Sequence, residues 1–265
     1  MGLKQLCKDF VPPLLWRLAQ RTLVSHAVPV SFSGNYPDWQ SAQAASTGYD
    51  SDAIFGRVLD AARKVKNGEA LWERDSVPFN HEEYNFPLLS ALMSVAAWNK
   101  GKLRVLDFGG AFGSTYWQQR CLLQKLEVLS WNVVEQSQIV SCGQKEFQTD
   151  ELQFWPDMQS CAAVGSVDIV LFSSVLQYME TPYELLEQAI ALSPKAVILD
   201  RTPFADNGER ITVQHVPPTI YPASYACRWL DKLRVKKILE GKYCVSPWWQ
   251  SQVDQLGFLG IMGYH

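Results

Sequence analysis

The 265-residue chain reads as an α/β protein, with a Rossmann-like, mostly parallel sheet of seven strands flanked by helices. Three observations predict this. Short apolar runs recur, each closed by polar residues. Helical patterns lie among them, and one of the runs leads straight into a glycine-rich turn. A hydrophobic share of 47% against 19% charged residues marks a folded rather than a disordered chain. The length suffices to bury a large core.

Taken in order, residues 1–26 place Lys4, Lys8, Arg17 and Arg21 against a single acid, Asp9, around the apolar stretch 10–19. Such a segment suits the surface of an anionic membrane, with Trp16 among the headgroups, or a helix packed on the domain or on a partner. Val11-Pro12-Pro13 interrupts the apolar run a secretory signal needs, and no run of 18 apolar residues is present. Residues 29–50, with Pro29, Gly34, Pro37 and Gly48, read as a long loop. Ile54, Phe55, Val58, Leu59, Ala62 and Val65 then form one face of a helix, with Ser51 as its cap and Gly68 past its end. Residues 88–98 are a second, more apolar helix. On this reading residues 1–100 form a helical extension and residues 101–265 the main domain.

The main domain begins with Arg104-Val105-Leu106-Asp107-Phe108-Gly109-Gly110-Ala111-Phe112-Gly113-Ser114: a buried strand, an acid, a turn and a helix start. Such a turn lets backbone pass close under a bound nucleoside. A second strand, 129–134, ends in Glu135 and Gln136, and an acid there can accept hydrogen bonds from ribose hydroxyls. A third, 166–172, carries a run of apolar and β-branched residues that suits a central parallel strand, and delivers Ser173, Ser174 and Gln177 to its C-terminal end, where ligands bind in open α/β sheets. A fourth, 195–199, exits at Asp200 and Arg201. Residues 202–224 form an inserted segment after this strand. It contains the alternating run Ile211-Thr212-Val213-Gln214-His215-Val216, then Pro217-Pro218, with Tyr221 and Tyr225 as rings for stacking on a sugar. It reads either as an acceptor-binding lid or as a structural hairpin. A helix at 225–239 and strands at 243–246 and 258–264 complete the expectation.

The turn fits a nicotinamide site poorly, because the third and sixth positions from Gly109 are Ala111 and Ser114 rather than glycine. Asp107, Gly109 and Gly113 instead match the class I S-adenosylmethionine (SAM) methyltransferases, with Ala111 in place of the middle glycine. An acid there has an electrostatic purpose, since that cofactor carries an ammonium and no pyrophosphate. The chain resembles a family of class I methyltransferases found among bacterial O-antigen and other surface-polysaccharide biosynthesis proteins. The resemblance rests on the Asp107 turn, Trp131-Asn132-Val133-Val134-Glu135-Gln136, Leu171-Phe172-Ser173-Ser174-Val175-Leu176-Gln177-Tyr178, Leu199-Asp200-Arg201-Thr202-Pro203-Phe204, Val213-Gln214-His215-Val216-Pro217-Pro218 and Ile220-Tyr221-Pro222-Ala223-Ser224-Tyr225. It implies the class I fold, SAM as cofactor and a glycan-assembly setting; the scattered single cysteines suit the reducing cytoplasm, and residues 1–26 a peripheral place at the inner membrane. Asp107, Gly109, Gly110, Ala111, Gly113, Glu135, Gln136, Ser173, Ser174 and Gln177 are then the expected cofactor contacts.

Methylation of a hydroxyl requires alignment and removal of a proton. The candidate bases are His215 in the inserted segment, Asp200 at a strand exit and His81 ahead of the first strand. The six cysteines form no C-x-x-C pair, so neither a metal site nor a disulfide framework is expected. A net charge of −3 supplies no field for nucleic acid, so the expected partner is a small-molecule or glycan acceptor. A non-catalytic scaffold of the same fold is the alternative reading.

Overall fold

A computed structural model describes residues 30–48, 51–217, 223–250 and 258–265, with backbone alone at 51–53. The expectations for residues 1–26, the Ser51 cap, Pro218 and Tyr221 lie outside what it describes. In chain order, β1 (Ser31–Tyr36), α1 (Trp39–Ala44) and α2 (Ser51–Lys66) precede a hairpin of β2 (Trp72–Arg74) and β3 (Val77–Phe79). There follow α3 (Phe86–Trp98), β4 (Lys102–Phe108), α4 (Ser114–Leu123), β5 (Val128–Val134), α5 (Ser137–Glu146), β6 (Leu152–Trp155) and α6 (Met158–Ala163). Next come β7 (Ile169–Ser173), a 3-10 turn (Leu176–Tyr178), α7 (Pro182–Ala191), β8 (Ala196–Thr202), β9 (Phe204–Ala205), β10 (Arg210–His215) and β11 (Ser224–Asp231). The described chain closes with α8 (Lys232–Glu240), β12 (Cys244–Val245), β13 (Trp249–Gln250) and β14 (Leu259–Tyr264).

The large sheet runs β6-β5-β4-β7-β8-β14-β12. β4 through β8 are parallel, and β14 is antiparallel to both of its neighbours. This order, with one reversed strand next to last, is the class I methyltransferase fold that the sequence predicts. β13 adds a short pairing to β14 that the sequence does not announce. In-register pairs Phe108–Val134, Val134–Trp155, Phe108–Phe172 and Ser173–Asp200 align the C-terminal ends of β4 to β8 along one edge.

Each face of the sheet is sealed by helices. Val105, Trp131, Leu171 and Ile198 pack under Leu92 and Val95 of α3, Tyr116 of α4 and Val140 of α5. Leu106, Phe172, Val197 and Leu199 pack under Cys161 of α6, Leu186 of α7 and Leu239 of α8. α3 starts where Asn85 accepts a hydrogen bond from the Leu88 N–H (3.2 Å), with Pro87 in the first turn. Among the described residues no helix is long and apolar enough to cross a membrane.

Two expectations about the flanking segments need correction. The loop expected over residues 29–50 contains β1 and α1, and β1 pairs antiparallel with β10. The helix expected over residues 225–239 starts later: Ser224–Asp231 is β11, paired with β10, and α8 begins only at Lys232. Asp231 marks the change, accepting from the Leu233 (2.8 Å) and Arg234 (3.1 Å) N–H groups as an N-cap. The result is a second, four-stranded sheet, β1-β10-β11-β9, with its own small core of Trp39, Ala42, Ile211, Val213 and Ala226.

Candidate functional site

The turn after β4 has the backbone the sequence requires. Gly109, Ala111 and Gly113 all lie at positive φ, at 73°, 50° and 89°. Ala111 thus takes the conformation of the glycine it replaces, at a cost on the order of 1–2 kcal/mol. A Cβ on Gly109 would stand 2.4 Å from Val175 Cγ2, so this glycine serves packing against the next strand's exit as well as the turn. A Cβ on Gly110 would stand 2.5 Å from Asp107 Oδ2. Gly113 precedes α4 without a side-chain cap, leaving the helix's first N–H groups to other partners.

Four polar side chains share one face of the sheet at this edge. Val105, Val133, Leu171 and Ile198 belong to one core cluster, and two residues further along their strands come Asp107, Glu135, Ser173 and Asp200. Asp107 is buried and accepts from Trp131 Nε1 (3.0 Å). Burial pushes its carboxyl up to about 7, against the indole's hydrogen bond and with Glu135 and Asp200 adding repulsion. Glu135 accepts from the N–H groups of Ala111 (3.3 Å) and Gln136 (2.8 Å), which ties β5 to the turn, and burial raises its pKa too. Gln136 itself is exposed.

Asp200 is enclosed. Its Oδ2 accepts from Asn85 Nδ2 (2.9 Å) and Ser173 Oγ (3.1 Å), and its Oδ1 from Trp249 Nε1 (3.4 Å). Burial raises its pKa against these donors and the charge of Arg201. Ser174 has φ 57°, donates its N–H to the Asp200 carbonyl (3.0 Å) and accepts from Gln177 Nε2 (3.0 Å). Gln177 is fully buried, and its Oε1 meets no hydrogen-bond donor among the described residues.

Sequence reading missed Glu73. It sits on β2, 2% exposed, and accepts a hydrogen bond from Ser114 Oγ, the first residue of α4. Burial raises its pKa to about 7, with Ser114 and the charge of Arg201 opposing. The hairpin tip, Asp75 and Ser76, lies at φ 52° and 68° and reaches Arg201, whose Nη2 is 3.3 Å from Asp75 Oδ2. The β2–β3 hairpin therefore bridges the glycine turn and the exit of β8. Of the seven non-glycine residues at positive φ among the described residues, five (Asp75, Ser76, Ala111, Ser174 and Arg201) belong to this edge or to the hairpin that meets it. Such concentration marks functional edges, where surrounding contacts hold strained backbone in place. Glu73 stands in the mixed stretch Leu71-Trp72-Glu73-Arg74-Asp75, which gives no local signal that separates it from a solvated acid.

Neither histidine joins these acids. β10 alternates, and Gln214 turns toward the large sheet to accept from Tyr178 Oη (2.9 Å). His215 therefore lies on the opposite face, exposed, its Nε2 2.7 Å from Ser33 Oγ. His81 is exposed, 3.3 Å from Glu83 Oε2, and its carbonyl accepts from Trp72 Nε1 (2.8 Å). Trp72 and Glu73 point to opposite sides of β2, so His81 follows the side away from Glu73.

No family model and no curated protein matches the sequence. Solved structures do. The N-terminal domain of EvdMO1, in the presence of SAH and D-fucose, is 15% identical with a TM-score of 0.46, over 82% of this chain and 97% of that one. Magnesium protoporphyrin IX methyltransferase from Synechocystis PCC 6803, with bound SAM, is 14% identical at 0.46, over 83% and 99%. CalS10 from Micromonospora echinaspora, described as an amino pentose methyltransferase with SAM bound, is 10% identical at 0.48, over 78% and 96%. With all three TM-scores below 0.5, the class of fold stands on the strand order itself.

Proposed function

We propose that the chain is a SAM-dependent methyltransferase that O-methylates a sugar of a bacterial surface-polysaccharide precursor. The observation that supports this most is the excess of acids around the turn: Glu73, Asp107 and Asp200 are buried and Glu135 is half-buried, and the charge of Arg201 acts on Glu73 and Asp200. A nucleoside with a pyrophosphate would be repelled by this set; one bearing a sulfonium and an ammonium is attracted. The turn suits such a group, because Gly109, Gly110 and Ala111 carry little or no side chain where the chain passes from β4 to α4.

When bound there, the cofactor supplies an electrophilic methyl group. The chain's own residues bind and orient the cofactor and the acceptor, and the acceptor hydroxyl's proton would pass to solvent as the methyl is transferred. Glu135 is placed to accept from ribose hydroxyls, and the buried Asp107 holds negative charge beneath the turn. Gln177 offers its unpartnered Oε1 as an acceptor. For the acceptor side, Tyr178 of the 3-10 turn and Tyr225 of β11 stand edge to face with centroids 6.1 Å apart, and Phe32 of β1 packs edge to face on Trp229 of β11 at 5.2 Å. Aromatic faces with a few polar groups suit the apolar faces of a sugar ring. Asp200, already accepting three hydrogen bonds, serves to position Ser173 and Asn85 rather than to take a proton.

Calorimetric titration with SAM and SAH tests this reading. Wild-type protein is expected to bind both, and Glu135→Ala to weaken binding by on the order of 1–3 kcal/mol through the lost charged hydrogen bond. Absence of binding to the folded wild-type protein would overturn the assignment. Release of SAH on incubation with nucleotide-activated or lipid-linked sugars then tests the acceptor.

A further inference from the structure

We infer that Glu73 holds the ammonium of the cofactor's amino-acid end and that Arg201 holds its carboxylate, so that the β2–β3 hairpin is the part of the site that recognises an α-amino acid. This deepens the proposed cofactor reading and rests on it.

Position carries the inference. Glu135, at the end of β5, places the ribose on one side of the Gly109 turn. An elongated cofactor crossing β4 then extends toward β7 and β8, where Ser174, Asp200 and Arg201 lie. The hairpin meets the sheet edge on that side. Glu73 is anchored at the start of α4 by Ser114, and the tip of the same hairpin contacts Arg201 through Asp75. One buried carboxylate and one guanidinium thus meet the same hairpin, near enough for Arg201's charge to favour the ionised Glu73. A zwitterionic amino acid presents the opposite two charges. Asp75 is 64% exposed, so a ligand carboxylate can share Arg201 with it at little loss.

The plain rival is that Glu73 only pins the hairpin to α4. The two differ in what they predict for ligands with and without the amino-acid end. SAH and 5′-methylthioadenosine share the adenosine and the sulfur, and only SAH carries the zwitterion. In calorimetric titrations wild-type protein is expected to bind SAH at least tenfold more tightly than 5′-methylthioadenosine. Glu73→Gln, which keeps an acceptor for Ser114, should weaken SAH ten- to hundredfold and leave 5′-methylthioadenosine within twofold. Arg201→Gln should act in the same direction with a smaller loss. Equal weakening of both ligands, or no weakening of SAH in a variant that keeps its melting temperature, overturns the inference while leaving the cofactor assignment standing. Failure of wild-type protein to bind either ligand overturns both. Should Glu73→Gln not fold, the Arg201→Gln comparison decides alone.

Discussion

The two sheets of this protein are held together in different ways. In the large sheet neighbours along the chain are mostly neighbours in space: a strand, a helix and the next strand lie within a few tens of residues. Its core includes Trp131, Phe154, Phe172 and Leu92, all almost fully buried. In the small sheet β1 pairs with β10 across more than 170 residues of chain, and the core is five residues, two of them alanine. The large sheet has apolar burial to spare and places acids under its glycine turn. The small sheet leans on polar ties such as Tyr178–Gln214, Arg228–Glu209 and the reciprocal hydrogen bonds of Thr47 and Ser224. A region so built is expected to open before the global unfolding transition.

The strongest way to break the contrast is Trp131→Ala. It empties a fully buried site and removes the donor to Asp107. We expect a loss of about 3–5 kcal/mol in chemical denaturation and a strong fall in SAM affinity. A loss below about 1 kcal/mol would show that the large sheet is not the stable half.

A smaller effect follows from pH. Glu73 and Asp107 are both raised to about 7 when folded, chiefly by burial. Each therefore holds its proton more tightly folded than unfolded. The stability this gives is complete below about pH 4 and is lost as pH rises through about 7. Without cofactor, the protein should be more stable at pH 5.5 than at pH 8, by on the order of 1–3 kcal/mol. SAH should bind more tightly at pH 8, where the acids are ionised. Glu73→Gln and Asp107→Asn should each flatten both profiles, as read by thermal melts and calorimetry across that range.

Tyr178→Phe sharpens the comparison from the other side. It removes the hydroxyl that donates to the buried Gln214, at about 1–2 kcal/mol. Hydrogen exchange should report faster opening of β10 and β11 with β4 to β8 unchanged, and SAM affinity should stay near wild type. Uniform acceleration across both sheets would mean that they unfold as one unit.

The smallest expected effect is His215→Ala. The ring is exposed and turned from the acids, so turnover should fall less than threefold, whereas loss of a general base costs roughly 10²–10⁴-fold. A drop in the latter range would show that β10 reorients on acceptor binding.

Much of the cofactor side was legible in the sequence, because its signals are local. Asp107, the glycines and Ala111 are consecutive, and their spacing alone sets a strand end, a left-handed turn and a helix start. Glu135 and Ser173 could be placed because a strand's end is readable from where its apolar run stops. The acceptor side was not legible in the same way. Residues 31–36 show no alternation that names β10 as their partner, and residues 224–231 could be assigned to a helix because their apolar positions fit both periods.

By itself the sequence determined the two helices ahead of β4, the strands β4, β5, β7 and β8, the turn chemistry and the acids at strand ends, since each depends on spacing within about ten residues; it did not announce the β2–β3 hairpin or β6. Only the tertiary structure decided which face of β10 carries Gln214 and which His215, because strand pairing across the chain sets that register. It alone brought Glu73 to Ser114 and Asp75 to Arg201. A hairpin's place over a sheet edge follows from how it packs on α2 and α4, and burial then turns an ordinary glutamate into a group whose charge depends on what it meets.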